Sequence, residues 1–258
     1  MTETKLIDEL EQLRDVRAPA SLRAGALQRT GLADAYFPLA TPLGRLYVAH
    51  NAHGLSAVLY ADTPEDFERT FQSELGRLAV AQPPPERLTG TLREWLRGDR
   101  RHKLRFDLRG LGAFQRAVLF KALEIPYGQI RPYSWIAREI GHPQAVRAVG
   151  TALGHNPIPL FIPCHRVVRS DGHLGHYSLI GPEAKRAVLL DEGVRLDELE
   201  QLAQSGVRYF GSDTTRIFCF PTCRYNKTLT ERHRVTFGSE AQARTAGYRP
   251  CKVCRPAA

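Results

Sequence analysis

From residue 35 the apolar positions fall into three short runs, 35–40, 45–50 and 55–60, separated by Thr41-Pro42-Leu43-Gly44 and Asn51-Ala52-His53-Gly54. Runs of this length between turn-forming residues predict the strands of a small antiparallel sheet. Residues 1–34 are charged and rich in Ala and Leu, with Leu6, Leu10 and Leu13 at helical spacing, which predicts a helical extension or a solvated surface helix. After the sheet comes a charged helical stretch, a break at Gln82-Pro83-Pro84-Pro85, and a short helix over 88–96.

Beyond Gly110-Leu111-Gly112, where a subdomain boundary is expected, the pattern turns helical. Phe114, Val118 and Leu119 share a face over 114–123, and Ile136 and Ile140 do so over 133–140. Gly141-His142-Pro143 reads as a tight turn, with Pro143 at the first position of a helix running to about residue 153. Two helices joined by a three-residue turn containing Gly carry the helix-turn-helix signature. Small side chains over 145–152 would let that backbone approach a nucleic-acid groove, and they equally suit a tightly packed core helix.

The chain has 258 residues, and its 43% hydrophobic content suits a globular fold. A formal charge of +9 favours a polyanionic partner without choosing which. Nothing approaches the roughly 18 consecutive apolar residues of a membrane span, and Met1-Thr2-Glu3-Thr4-Lys5 lacks a secretory pattern, so a cytoplasmic protein with no membrane partner is expected. Of the five cysteines, four lie in the last forty residues, an arrangement better suited to metal binding than to a disulfide framework. That isolates Cys164.

Cys164 ends an apolar stretch and is followed directly by His165. A thiol of ordinary pKa is only slightly ionised at neutral pH, so a working nucleophile needs a base or a positive field nearby. His165 could be that base through a bridging water; an inert buried cysteine beside a surface histidine is the competing description.

The string IPCHRVV at 162–168, preceded by Asn156-Pro157-Ile158-Pro159, with AVRAVGTAL at 145–153 and GHYS at 175–178, resembles the O(6)-alkylguanine-DNA alkyltransferase family. The resemblance covers about residues 35–195. It implies an α/β (α+β) fold: a small sheet subdomain with helices at 35–110, then a helix-turn-helix catalytic subdomain at 111–196 that flips the damaged guanine out of double-stranded alkylated DNA. Cys164 would attack the alkyl carbon, His165 would take the thiol proton through water, and Glu192 would orient the imidazole. Tyr133 matches the proton donor toward the leaving guanine, Arg147 the side chain that fills the gap in the base stack, and Asn156 the link to the active-site turn. Tyr177 and Ser178 match the loop over the base, and Arg166 joins the expected DNA contacts. The acceptor sulfur is expected to be ionised and open. Leu179-Ile180-Gly181 departs from the family's small residues and bears on pocket width.

Cys219 and Cys223 form a C-x3-C pair, and Cys251 and Cys254 a C-x2-C pair, with 27 residues between the pairs. Two close thiolate pairs are how a small domain builds a closed zinc site. From residue 206 onward there are ten Lys or Arg against three Asp or Glu. The segment 206–258 resembles the zinc domain of the Ada adaptive-response proteins, which implies Cys219 as a second methyl acceptor, from DNA methylphosphotriesters, with Arg249 and Arg224 on flanking phosphates. Phe220 and Asn226 stand where that family has basic residues, and a purely structural zinc knuckle is the alternative. The overall expectation is a monomeric, single-turnover DNA-repair methyltransferase, cytoplasmic and nucleoid-associated, with a non-catalytic binder of alkylated DNA, a methylation-responsive regulator and a Cys-His hydrolase as competing classes.

Overall fold

The computed structural model describes residues 20–256 except His176 and Ser178. The part of the predicted N-terminal helical extension before residue 20, and the expected role of Ser178, therefore lie outside the described residues. Helix α1 (Ala20–Arg29) leads into the strands β1 (Ala33–Thr41), β2 (Gly44–Asn51) and β3 (Gly54–Leu59), each within two residues of its expected limits. Helix α2 (Pro64–Leu75) follows, its first turn capped by Thr63 Oγ1 accepting from the Asp66 amide. A fourth strand, β4 (Leu78–Ala81), was not legible in the sequence; it runs parallel to β1 and completes a sheet of order β3-β2-β1-β4.

Both faces of this sheet are covered. Alternation sends Tyr36, Tyr47, Ala49 and Ala57 against Phe67 and Phe71 of α2, while Phe37, Leu39, Leu46 and Val48 face the main core. Gly54 sits at φ 136°, and a Cβ there would fall 2.3 Å from the Arg105 carbonyl oxygen, where β3 begins its bonding to the 105–107 segment. Gly54→Ala is therefore expected to cost at least about 1–3 kcal/mol, read as a lowered denaturant midpoint. An unchanged midpoint would mean the segment shifts freely.

The second part of the body comprises α3 (Glu86–Leu96), α4 (Ala113–Leu123), β5 (Arg131–Pro132), α5 (Tyr133–Glu139) and α6 (Val146–Gly154). Helix α6 starts three residues later than expected: the Ala145 amide bonds the His142 carbonyl, closing a turn around Pro143 before the helix begins. After a 3-10 turn at Cys164–Arg166 come β6 (Val167–Val168), α7 (Pro182–Asp191) and α8 (Leu196–Gln204). Parallel pairing of β5 with β6 pins the exit of that turn to the start of α5.

The C-terminal part forms a second sheet, of order β10-β8-β7-β9, from β7 (Tyr209–Ser212), β8 (Ile217–Cys219), β9 (Arg234–Phe237) and β10 (Arg249–Pro250), with α9 (Glu240–Thr245) packed on it. Its own hydrophobic core is small among the described residues: Phe218, Phe237, Ala243 and Tyr248. The four cysteines instead join the buried cluster that contains Trp135 and Ile136 of α5. Among the described residues no helix is long and apolar enough to cross a membrane.

Candidate active site and metal centre

The segment Asn156 to Cys164 is a compact turn held by its own backbone. Asn156 Oδ1 accepts from the Ile158 amide, and its Nδ2 donates to the Ile162 carbonyl at 2.9 Å and to Cys164 Sγ at 3.2 Å. Leu160 takes a left-handed φ of 70°, a strained geometry for a residue with a Cβ. The asparagine thus joins the end of α6 to the sulfur.

Behind the sulfur lies a buried charge cluster. His165 Nε2 stands 2.8 Å from Glu192 Oε1; an ionised carboxylate there places the ring proton on Nε2 and leaves Nδ1 as the acceptor. Nδ1 is buried and has no hydrogen-bond partner among the described residues. Glu192 also accepts from the Gly128 amide and from the Arg166 guanidinium, at 2.7 Å from Nη2 and 2.8 Å from Nε. A Cβ on Gly128 would meet the Glu192 carbonyl oxygen at 2.8 Å, so glycine is required for that approach. Burial pushes the Glu192 carboxyl up, but hydrogen bonds from His165 and Arg166 outweigh it and hold the group at about 2.

Cys164 is not the open thiolate expected. The residue is 5% exposed and burial pushes its thiol up, opposed by the Asn156 hydrogen bond and the charge of Lys185. Burial likewise pulls His165 down, against the pull of Glu192. The resting pair is therefore a neutral thiol and a neutral imidazole, and removing the thiol proton becomes part of the reaction.

Arg166 also differs from expectation. It is 2% exposed, committed to Glu192 and the Ile125 carbonyl, so it braces the carboxylate and has no surface to offer a phosphate. Lys185 was not singled out in the sequence. Its Nζ donates to the Val167 carbonyl and lies 5.9 Å from the Tyr133 ring. The available signal was its place within the apolar stripe of α7 formed by Ala184, Val188 and Leu189.

Tyr133, opening α5, is held in its protonated form: burial raises its phenol, and a thiolate at Cys164 would raise it further. The Tyr177 ring stands edge-on to His165 with centroids 6.2 Å apart, and its buried hydroxyl has no partner among the described residues. Arg147 is exposed on α6. A cleft of about 650 Å³ borders the turn, walled in part by Gln115, Asn156, Pro159 and Leu179.

The second site is built by parallel pairing of β8 with β10, which sets Cys219 beside Cys251, while the following turns bring in Cys223 and Cys254. The four sulfurs lie within 4.8 Å of one another and all four residues are buried. Thiols so crowded cannot all ionise unaided: Cys223 is drawn down by hydrogen bonds from Cys219 and Cys254, while Cys219 is driven far up. A divalent cation removes that conflict, and four convergent thiolates fit tetrahedral zinc. Asn226 Nδ2 donates to the Phe220 carbonyl at 2.7 Å, closing the Cys219 to Cys223 loop, so its place is structural. Arg249 and Lys252 line a cleft of about 540 Å³ together with Cys219, Cys251, Tyr225 and His233. Arg224 is exposed beside Tyr225.

Residues 113–194 match the family model described as 6-O-methylguanine DNA methyltransferase, DNA binding domain, and residues 201–257 match the metal binding domain of Ada. The four-cysteine cluster is accordingly a zinc site. The constitutive methylated-DNA–protein-cysteine methyltransferase of Bacillus subtilis is 34% identical over 170 residues, covering 63% of this chain and 98% of that protein. The mouse methyltransferase is 48% identical over 83 residues, which span 32% of this chain and 39% of its own length; the matches to the rat and Mycobacterium bovis enzymes span 47% and 49% of theirs. The crystal structure of Mycobacterium tuberculosis OGT in complex with DNA superposes with a TM-score of 0.51 at 32% identity, covering 64% of this chain and 99% of that one. A relative matched over nearly its full length, a solved structure of the same architecture and an asparagine–cysteine–histidine turn backed by a glutamate converge: the chain belongs to the methylated-DNA–protein-cysteine methyltransferase family, extended at its C-terminal side by an Ada-type metal-binding domain.

Proposed function

We propose that the protein repairs alkylated double-stranded DNA by transferring the alkyl group from O6 of guanine to Cys164, once per molecule. The observation that carries this is the buried turn that ties Asn156 to Cys164 and sets the adjacent His165 against Glu192 at the end of α7. Residues 111–196 bind and react with DNA as a monomer, residues 35–110 brace them, and residues 206–258 hold zinc. The site of action is the nucleoid, in the cytoplasm.

The damaged guanine swings out of the duplex, at a cost of a few kcal/mol, and the exposed Arg147 fills the space it leaves. The Cys164 thiol passes its proton through one water to His165 Nδ1, whose other nitrogen is held by Glu192. The sulfur then forms a bond to the alkyl carbon as the carbon–O6 bond breaks, and the Tyr133 phenol donates a proton toward the leaving guanine. Lys185 contributes positive charge near the developing thiolate. No group here can hydrolyse the resulting thioether, so the protein is consumed.

Intact-mass spectrometry after incubation with O6-methylguanine duplex should find one added methyl, mapped to the Cys164 peptide and absent in Cys164→Ala. An unmodified wild-type protein that still binds the duplex would instead favour a non-catalytic lesion binder, and repeated turnover of an ester would favour a hydrolase.

A second acceptor is proposed at Cys219, because this ligand alone of the first pair lines the basic cleft with Arg249 and Lys252. Zinc supplies a deprotonated thiolate there, and a methylated phosphate, being neutral, is not repelled by the cluster. Arg249 and Arg224 would hold flanking phosphates. Peptide mapping after treatment with methylphosphotriester DNA tests this; methyl confined to Cys164 would leave the domain a structural clamp.

A further inference from the structure

Among the described residues two arginines are buried, Arg166 at 2% and Arg131 at 3% exposure. The first has Glu192. The second, at the start of β5, donates only to the Ile130 carbonyl and to Gln129 Oε1, both at 2.7 Å and both neutral. A buried guanidinium without a countercharge is costly, so the charge balancing it must come from elsewhere.

It comes from across the domain contact. The Arg131 guanidinium lies over the Phe220 ring at 5.2 Å, and Phe220 directly follows the zinc ligand Cys219. The guanidinium also lies 5.8 Å from the Trp135 ring, and Trp135 shares one buried cluster with Cys219, Cys223, Cys251 and Cys254. Zinc held by four thiolates leaves a net charge of −2, which in an apolar setting also needs a partner. Arg255, next to Cys254 in the chain, is already paired with Glu124 and Glu139. The ligand loop itself is clasped to the same strand start, for the Ile130 amide donates to Thr222 Oγ1 at 3.0 Å.

We infer that Arg131, a residue of the alkyltransferase body, is the countercharge of the zinc–thiolate cluster, so that retention of zinc and docking of the C-terminal domain on that body are one coupled equilibrium. The aromatic residue at 220 then has a reason: its ring gives the incoming guanidinium a face to stack on. The coupling is reciprocal. A chain that loses the clasp holds zinc less well, and a chain that loses zinc leaves Arg131 buried without a balancing charge.

The test is the rate at which the full-length, zinc-loaded protein releases metal to a chromogenic chelator. Arg131→Met is expected to release zinc about 10- to 100-fold faster, the range seen when outer partners of metal ligands are removed. Arg131→Lys, which keeps the charge, should recover most of that difference. Equal losses in both variants would make the residue a packing element and overturn the assignment, as would a wild-type rate in folded Arg131→Met. Should Arg131→Met fail to fold, Thr222→Val breaks the clasp without altering any charge. It should speed zinc release several-fold and raise hydrogen exchange at the Ile130 amide, and an unchanged release rate would reject the coupling. These readouts do not depend on alkyl transfer, so they stand apart from the outcome at Cys164.

Discussion

Glu192→Gln is expected to cost about 3–5 kcal/mol of stability and to slow alkyl transfer to Cys164 by about 10²- to 10⁴-fold. The carboxylate accepts from His165, Arg166 and Gly128 at once in a site with almost no solvent. Glutamine preserves the shape but withdraws the charge, leaving the Arg166 guanidinium buried and unpaired. It can also turn its amide N–H toward the imidazole, which moves the ring proton to Nδ1 and removes the acceptor for the thiol proton. Denaturant unfolding and single-turnover methyl transfer read the two effects separately. A variant with wild-type stability and rate would remove Glu192 from both roles.

The same carboxylate sets an acid limit with a definite sign. Its folded value, about 2, lies below the ordinary 4.5, so the stabilisation it supplies is complete above about 4.5 and is lost as the pH falls through 2. The amount at neutral pH is about 3 kcal/mol at 1.36 kcal/mol per pH unit. The stability gap between wild type and Glu192→Gln should therefore narrow as the pH is lowered from 4.5 to 2, and a gap that stayed constant would show that the carboxylate is not tightly held.

The second large effect is expected at Cys254→Ser. Cys254 is fully buried, and the domain's own hydrophobic core is only four of the described residues. Structural zinc contributes about 10–16 kcal/mol in small zinc-finger peptides, more than such a core can supply alone. The wild-type chain should carry one zinc, and the variant should lose it together with hydrogen-exchange protection in β7, β8 and β9. The sheet of residues 33–81 should keep its protection, because its core against α2 contains no zinc ligand. A metal-free variant with β7 to β9 still protected would show that the hydrophobic core suffices.

Strands β1 to β3 were readable because their turns contain Gly, Pro and Asn at the points where the chain reverses. Strand β4 was not, since Leu78–Ala81 is short, Ala-rich and paired in parallel with a strand more than forty residues earlier. The start of α6 was misjudged because proline suits a first helical position and a turn equally well, and only the His142 to Ala145 hydrogen bond distinguishes them.

What the sequence by itself determined is chemistry carried by neighbours in the chain: the Asn156 to His165 turn, the two cysteine pairs, and the helices and turns that present them. Local spacing is sufficient there because the groups that must meet are a few residues apart. Only the tertiary structure decided what depends on burial and on distant partners. Arg166 reads as a surface charge until Glu192, 26 residues away, is seen to enclose it; Cys164 reads as an open thiolate until its covering is seen; and Arg131 meets Phe220 only when a separate sheet closes over it. The cost of burying a charge is set by what surrounds it in space, and spacing along the chain carries no measure of that.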